Sequence, residues 1–320
     1  MKHITVIHMG AIGDLVQALP TLRAVRMKWP AARVLIVGRC ERTALARMAG
    51  LVDACADFDV FAHAPAASRE ADLVIDLFSA AMTKPAAAGA DVCRIDPLPP
   101  AGWTQPAAVW LLRQAAARLD LLPVPEAPEI PVPQPLLDEA RGLLAERGIG
   151  GRFAAIGAGS GSTKKNWPLA RFQEIADRLR RDGGGVRSQE PYAFKAPDPL
   201  APGTGRKVVW LSGPAEQERG TLASLSPLEI VLGDLSLERA AAVLALADVY
   251  VGNDSGLTQV AAAVCRPDGR ATPTVALFGP TDPRIWGPQC PRGRPVPSPD
   301  GTMITIDIDR VWAETSSLIS

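Results

Sequence analysis

The apolar run Val249-Tyr250-Val251 breaks into Gly252-Asn253-Asp254-Ser255-Gly256 and passes directly into helical spacing over Leu257 to Val264. A chain of this kind must bury a strand, turn through glycine and polar residues, and send a helix back along the sheet. In that layout the backbone amides at the helix start can receive an anion. Further on, Pro273-Thr274-Val275-Ala276-Leu277-Phe278 ends in Gly279-Pro280-Thr281-Asp282-Pro283, with Trp286-Gly287-Pro288 beyond it. Two strand exits this close in sequence predict loops that open on the same edge of one sheet.

The same alternation recurs along the chain. Strands are expected at His3 to His8, Arg33 to Val37, Asp72 to Leu77, Phe153 to Ile156, Lys207 to Ser212, Ile230 to Leu232 and Thr274 to Phe278, with helical stretches between them. Strand and helix in turn argue for α/β architecture with parallel sheet. Leu15 to Trp29 carries apolar residues at helical spacing, and Pro20 inside it predicts a helix that starts near the proline or bends there.

At 320 residues the chain exceeds what one core usually supports, so two domains are expected. The prolines at 123, 125, 128, 131, 133 and 135 cannot form helix or central strand and read as a stiff connector. The expected division is 1–136, 137–308, and a closing helix at 309–320 packing back toward the first domain. Residues 183–206, opened by glycines and then rich in proline, read as a lid or as a tolerated insertion.

Charge and cysteine content narrow the function. Formal net charge is zero, which argues against a nucleic-acid backbone binder. Residues 1–50 hold eight Lys or Arg against Asp14 and Glu41, a pattern that suits an anionic acceptor, an anionic membrane surface or an ordinary solvated face. Five scattered cysteines without a CxxC pair fit a reducing, cytoplasmic setting. The three histidines fall within the first 63 residues, leaving little material for a triad or a metal site, and His3 and His8 read as structural. The opening apolar run is too short for a signal peptide, and no segment is long enough to span a bilayer.

Several residues have two readings. Asp14, just past the first strand, is either a helix cap or a carboxylate that takes a proton from an acceptor hydroxyl, with Gly10 and Gly13 allowing close approach. Lys165 follows Gly159-Ser160-Gly161-Ser162, a loop suited to phosphate but lacking the spacing of a P-loop or a dinucleotide fingerprint. Glu216 either binds ribose or sugar hydroxyls or caps its own helix. Asp254, Ser255 and Gly256 together make an anion and ribose site, and Trp167 and Trp286 either stack on a ring or pack the loops.

Taken in order, Ile12-Gly13-Asp14 with Leu19-Pro20-Thr21-Leu22-Arg23, the Gly159 to Ser162 loop with Lys165-Asn166-Trp167-Pro168, Gly213-Pro214-Ala215-Glu216, Gly252 to Gly256, and Phe278 to Pro283 resemble glycosyltransferase family 9, the ADP-heptose:lipopolysaccharide heptosyltransferases. The resemblance runs from about residue 3 to 312. It implies a GT-B fold, two Rossmann-like domains facing each other across a cleft, and inverting, metal-independent transfer with no cofactor beyond the donor, ADP-heptose or another nucleotide-diphospho-sugar. It implies Asp14 as base and Lys165 as the donor-phosphate lysine. Ser160, Gly161 and Ser162 fall in the phosphate loop, Glu216 at the ribose or adenine, and Asp254, Ser255 and Gly256 at the sugar and diphosphate. Gln259, grouped with the donor residues, stands where many members carry histidine, and Ile156-Gly157-Ala158 lacks the histidine often found there; Gln hydrogen-bonds but brings no charge. The acceptor implied is lipopolysaccharide core or another surface glycan, met in the cytoplasm or at the inner membrane. Two other readings remain open, a nucleotide-sugar-binding protein without transferase activity and a UDP-sugar epimerase of similar architecture.

Overall fold

The computed structural model describes residues 1–63, 70–77, 89–182 and 205–319. The expected insertion at 183–206 therefore lies outside the described residues except for Gly205 and Arg206.

The first lobe is built from β1 (His3–His8), α1 (Ile12–Lys28), β2 (Arg33–Gly38), α2 (Cys40–Met48), β3 (Ala54–Asp57), α3 (Phe58–His63), β4 (Leu73–Asp76), β5 (Asp91–Arg94) and α4 (Ala107–Leu119). Its strands are all parallel, in the order β3-β2-β1-β4-β5. Val6 pairs with Ile36 on one side and Ile75 on the other, and all three are fully buried. A parallel sheet is covered on both faces, which is why its central strand reads as an almost continuous apolar run. Helix α1 starts at Ile12, so Pro20 lies well inside it rather than at its start.

A connector leads to β6 (Ile130–Pro131) and α5 (Gln134–Glu146). The second lobe follows with β7 (Phe153–Gly157), α6 (Leu169–Arg181), β8 (Lys207–Leu211), α7 (Pro214–Glu218), β9 (Ile230–Leu232), α8 (Leu237–Leu246), β10 (Val249–Asn253), α9 (Gly256–Ala263), β11 (Val264–Cys265), β12 (Thr274–Phe278), α10 (Pro283–Trp286), β13 (Gly293–Pro297) and α11 (Ile308–Ile319). The strand order is β13-β12-β10-β7-β8-β9, again all parallel. The connector is pinned to the body of the protein. Arg23 of α1 donates to the carbonyls of Pro125 and Ala127 and pairs with Glu129 at 3.1 Å, while β6 pairs with β11.

The lobes share a core. Helices α1 and α2 pack against α8 and α9, and one apolar cluster runs without a break from Ile4, Leu19 and Val25 to Leu244, Val260 and Ala261. The closing helix corrects the expectation of a return to the first domain. Val311, Leu318 and Ile319 of α11 are buried in a second cluster with Phe172, Ile175 and Leu277, and Arg178 of α6 pairs with Asp309 at 2.7 Å. An amphipathic helix goes to the nearest uncovered apolar face, and for α11 that is its own lobe's sheet beside α6.

Candidate functional site

Strand order decides where the loops meet. In the first sheet the chain runs outward on both sides from β1, so the crevice of topological reversal lies between β1 and β4. The turn carrying Gly10 and Asp14 leaves β1 at that crevice. In the second sheet the reversal falls between β7 and β10, and the loops leaving these strands carry Lys165 and Asp254. The residues brought together are thus those at the carboxyl ends of the strands flanking each crevice.

Asp14 sits at the third position of α1. Its Oδ2 accepts the Ala11 amide at 2.8 Å, which ties the carboxylate to its own helix start. The carboxylate also lines a cavity of about 260 Å³ together with His8, Gly10, Gln17, Asp96 and Trp286. The cap reading of Asp14 is realised, and the same carboxylate faces a cavity. A Cβ on Gly10 would lie 2.8 Å from the Asp14 Cβ and 3.1 Å from the His8 ring, so only glycine lets the turn fold over these two groups. Burial holds the His8 imidazole below its ordinary pKa, against the raising influence of the Asp14 carboxylate. His8, read from the sequence as structural, is buried and also stands at the cavity wall.

In the second lobe Lys165 Nζ lies 2.6 Å from Asp254 Oδ2, and Thr281 Oγ1 donates to the same oxygen at 2.5 Å. Asp254 is only 7% exposed, and the loops after β7, β10 and β12 converge on it. Ser255 caps α9 by accepting the Thr258 amide at 3.3 Å, leaving Gly256 as the first helical residue. Asn253, fully buried, joins the two loops by donating to Ala158 O at 2.7 Å and accepting from the Trp167 amide at 3.0 Å.

The glycine-serine loop is more internally bonded than expected. The Ser160 hydroxyl lies 2.6 Å from Ser162 O and 2.7 Å from Asn166 Oδ1, contacts that hold the loop's shape. Arg219 donates to the carbonyls of Ser160 and Gly161, clamping the loop from outside. No sequence signal marked Arg219, since its partners are backbone oxygens distant in the chain. A Cβ on Gly161 would meet nothing within 4 Å, so this turn is open to solvent or ligand. Glu216 presses over Gly159, and its Oε2 accepts the Gly213 amide at 2.9 Å, a capping geometry like that of Asp14. Trp167 is packing material, stacked edge-on against Phe172 with centroids 5.1 Å apart and its indole N–H donating to Ile306 O.

Gln259 stands between the lobes. Grouped by sequence with the donor residues, its amide bonds one residue of the other lobe and one of its own. It accepts from Gln17 Nε2 at 2.9 Å and donates to Trp286 O at 2.5 Å. Three residues beyond Gly256 on α9, it reaches both α1 and the segment after β12. The two helix starts themselves touch, and a Cβ on Gly256 would lie 2.7 Å from Ile12 Cβ and 3.2 Å from the Gly13 amide nitrogen.

This arrangement has known counterparts. Residues 202–306 match glycosyltransferase family 9 (heptosyltransferase). A lipopolysaccharide heptosyltransferase 1 of Pseudomonas aeruginosa is 31% identical over 164 residues, 51% of this chain and 39% of that protein. Over this part the chain is similar to glycosyltransferase family 9. The matched part spans less than half the length of this curated family relative. Across the whole chain the fold is shared with solved heptosyltransferase and family 9 structures. The structure of Escherichia coli ADP-heptose lipopolysaccharide heptosyltransferase II superposes with a TM-score of 0.74 at 19% identity, covering 100% of this chain and 98% of that one. A family 9 glycosyl transferase of Veillonella parvula gives 0.73 at 18%, covering 99% and 97%. The GT-B type architecture, two parallel-sheet lobes facing a cleft, is thus the observed one. Among the described residues no helix is long and apolar enough to cross a membrane, and no group of three or more His, Cys, Asp or Glu is placed to hold a metal ion.

Proposed function

We propose that the protein transfers a sugar from a nucleotide-diphospho-sugar, ADP-heptose being the first donor to test, to a hydroxyl of a surface glycan such as lipopolysaccharide core. The observation that carries this reading is the meeting of two helix starts across the cleft. The α1 start bears Asp14 beside a cavity, and the α9 start follows Asp254 and its partner Lys165. An inverting displacement needs a base on one face of the anomeric carbon and stabilised charge on the other.

In this mechanism the acceptor hydroxyl sits in the cavity and gives its proton to Asp14. Its oxygen attacks the anomeric carbon as the bond to the diphosphate breaks, and the leaving diphosphate takes the electron pair. The α9 amides and Lys165 offset that charge, with Lys165 exchanging its contact to Asp254 for one to phosphate. The reaction requires no metal in this scheme. Gly161 and Ser162 line the phosphate side, and Glu216 lies toward the nucleoside. The first lobe is the acceptor side and the second the donor side, with the division within the connector. Work in the cytoplasm, at the inner membrane face, follows from a lipid-linked acceptor and the basic residues of the first 50 positions.

Calorimetry with ADP, UDP, GDP and dTDP, followed by mass spectrometry of a core glycan incubated with the ADP-heptose donor, tests the proposal. ADP binding and a heptose-sized mass gain are expected. Absence of binding by all four nucleotides would overturn it. Tight donor binding without transfer to any glycan would leave a binding protein.

A further inference from the structure

The cleft contains a chain of amide hydrogen bonds that the reaction above does not use. Gln289 Nε2 donates to Gln17 Oε1 at 2.6 Å, and the same oxygen accepts the Ala108 amide at 3.2 Å. Gln17 Nε2 donates to Gln259 Oε1 at 2.9 Å, and Gln259 Nε2 donates to Trp286 O at 2.5 Å. Gln17 and Ala108 belong to the first lobe; Gln259, Trp286 and Gln289 belong to the second. In this seam Gln17 and Gln259 are 1% and 6% exposed; Gln17 and Trp286 line the Asp14 cavity, and Gln289 lines a second hollow of about 500 Å³ with Arg113 and Arg284.

The direction of this chain is set at its ends. A backbone carbonyl can only accept and a backbone amide can only donate, so Trp286 O orients Gln259 and Ala108 N–H orients Gln17. The two side chains then fit in only one sense, donor to acceptor, and every end is satisfied. Buried networks of this completeness favour a single arrangement, because shifting either partner leaves a polar group without water or protein.

Position gives the seam its consequence. Gln17 lies three residues beyond Asp14 on α1, and Gln259 lies three residues beyond Gly256 on α9, so the seam sits about one helical turn behind each proposed reacting end. We infer that Gln17 and Gln259 are positioning residues that hold the Asp14 carboxylate in register with the donor loop at Ser255-Gly256, and so act on the chemical step rather than on nucleotide affinity. The inference rests on the transferase reading above for its kinetic consequence, and on the lobe contact alone for its structural one.

The test uses Gln259→Glu in the full chain, with Gln289→Ala as a milder second variant in case the first fails to fold. A carboxylate at 259 has the shape of the amide but sets an acceptor against Trp286 O. The expected result is a fall in kcat of about 100-fold, the cost of roughly a 1 Å misplacement, with the donor KM and the calorimetric ADP affinity within about threefold of wild type. Amide hydrogen exchange should quicken over residues 12–17 and 256–260. Gln289→Ala should show the same split with a smaller loss. Unchanged kcat and unchanged exchange would overturn the inference, as would a loss of ADP affinity matching the loss of kcat. If the wild-type protein transfers no sugar, the transferase reading fails on its own and the exchange measurement still decides the seam.

Discussion

Replacing Gly256 with alanine tests whether the contact between the two helix starts sets the geometry of the reaction. The added Cβ would lie 2.7 Å from Ile12 Cβ and 3.2 Å from the Gly13 nitrogen. Carbon atoms pack best at about 3.5–4.0 Å, so α1 and α9 must part by about 1 Å. Neither neighbour is the loose end of a flexible side chain, and the nitrogen is main chain inside a helix. Overpacking of this kind costs about 1–3 kcal/mol. For 320 residues the unfolding entropy is about 0.7 kcal/mol per degree, so Tm should fall by about 1.5–4 °C. The effect on rate should be larger, because the same displacement carries Asp14 away from the donor loop, and a 1 Å error costs about 100-fold in kcat. The assay is ADP release from ADP-heptose in the presence of acceptor, beside a thermal melt. Gly142→Ala in α5 is the control, since its Cβ would meet nothing within 4 Å; it should raise Tm slightly and leave the rate unchanged. Wild-type turnover and Tm in Gly256→Ala would refute the reasoning.

Asp14→Asn keeps an oxygen for the Ala11 amide, so the fold and ADP binding should persist while kcat falls by about 10²–10⁴-fold; equal loss of ADP binding in calorimetry would argue against a base. Lys165→Ala leaves Asp254 buried with Thr281 as its remaining named partner, and should weaken ADP binding as well as lower kcat; undiminished affinity and rate would remove Lys165 from the diphosphate side. His8, whose folded pKa is held below 6.5 by burial, accepts a proton more readily when unfolded than in the native state. Its contribution to stability is therefore complete above about pH 6.5 and declines as pH falls below that value. Melts of wild type and His8→Gln between pH 7.5 and about 5 should converge at the acid end if this sign is right, and run parallel if it is not.

The alternation of apolar runs with glycine-polar breaks was enough to place most strands, because parallel strands are buried on both faces and write that burial into consecutive residues. His3–His8, Phe153–Gly157, Val249–Asn253 and Thr274–Phe278 all stand where such runs occur. The loops at their carboxyl ends were legible for the same reason; Lys165 and Asp254 lie in them, and Asp14 lies in the first turn of the helix that follows β1. Periodicity carries no information about which sheet covers a helix, so the destination of α11 could not be read. It likewise cannot say which partner a polar side chain will find. Ser160 is absorbed by its own loop, Arg219 clamps carbonyls nearly sixty positions earlier, and Gln259 bonds Gln17 at a separation of 242 residues. The sequence by itself determined the α/β class, the strand exits and the chemistry available at each. Only the tertiary structure decided which of those groups face the cleft and which tie the lobes together, because hydrogen-bond partners are selected by packing across the chain and not by neighbours along it.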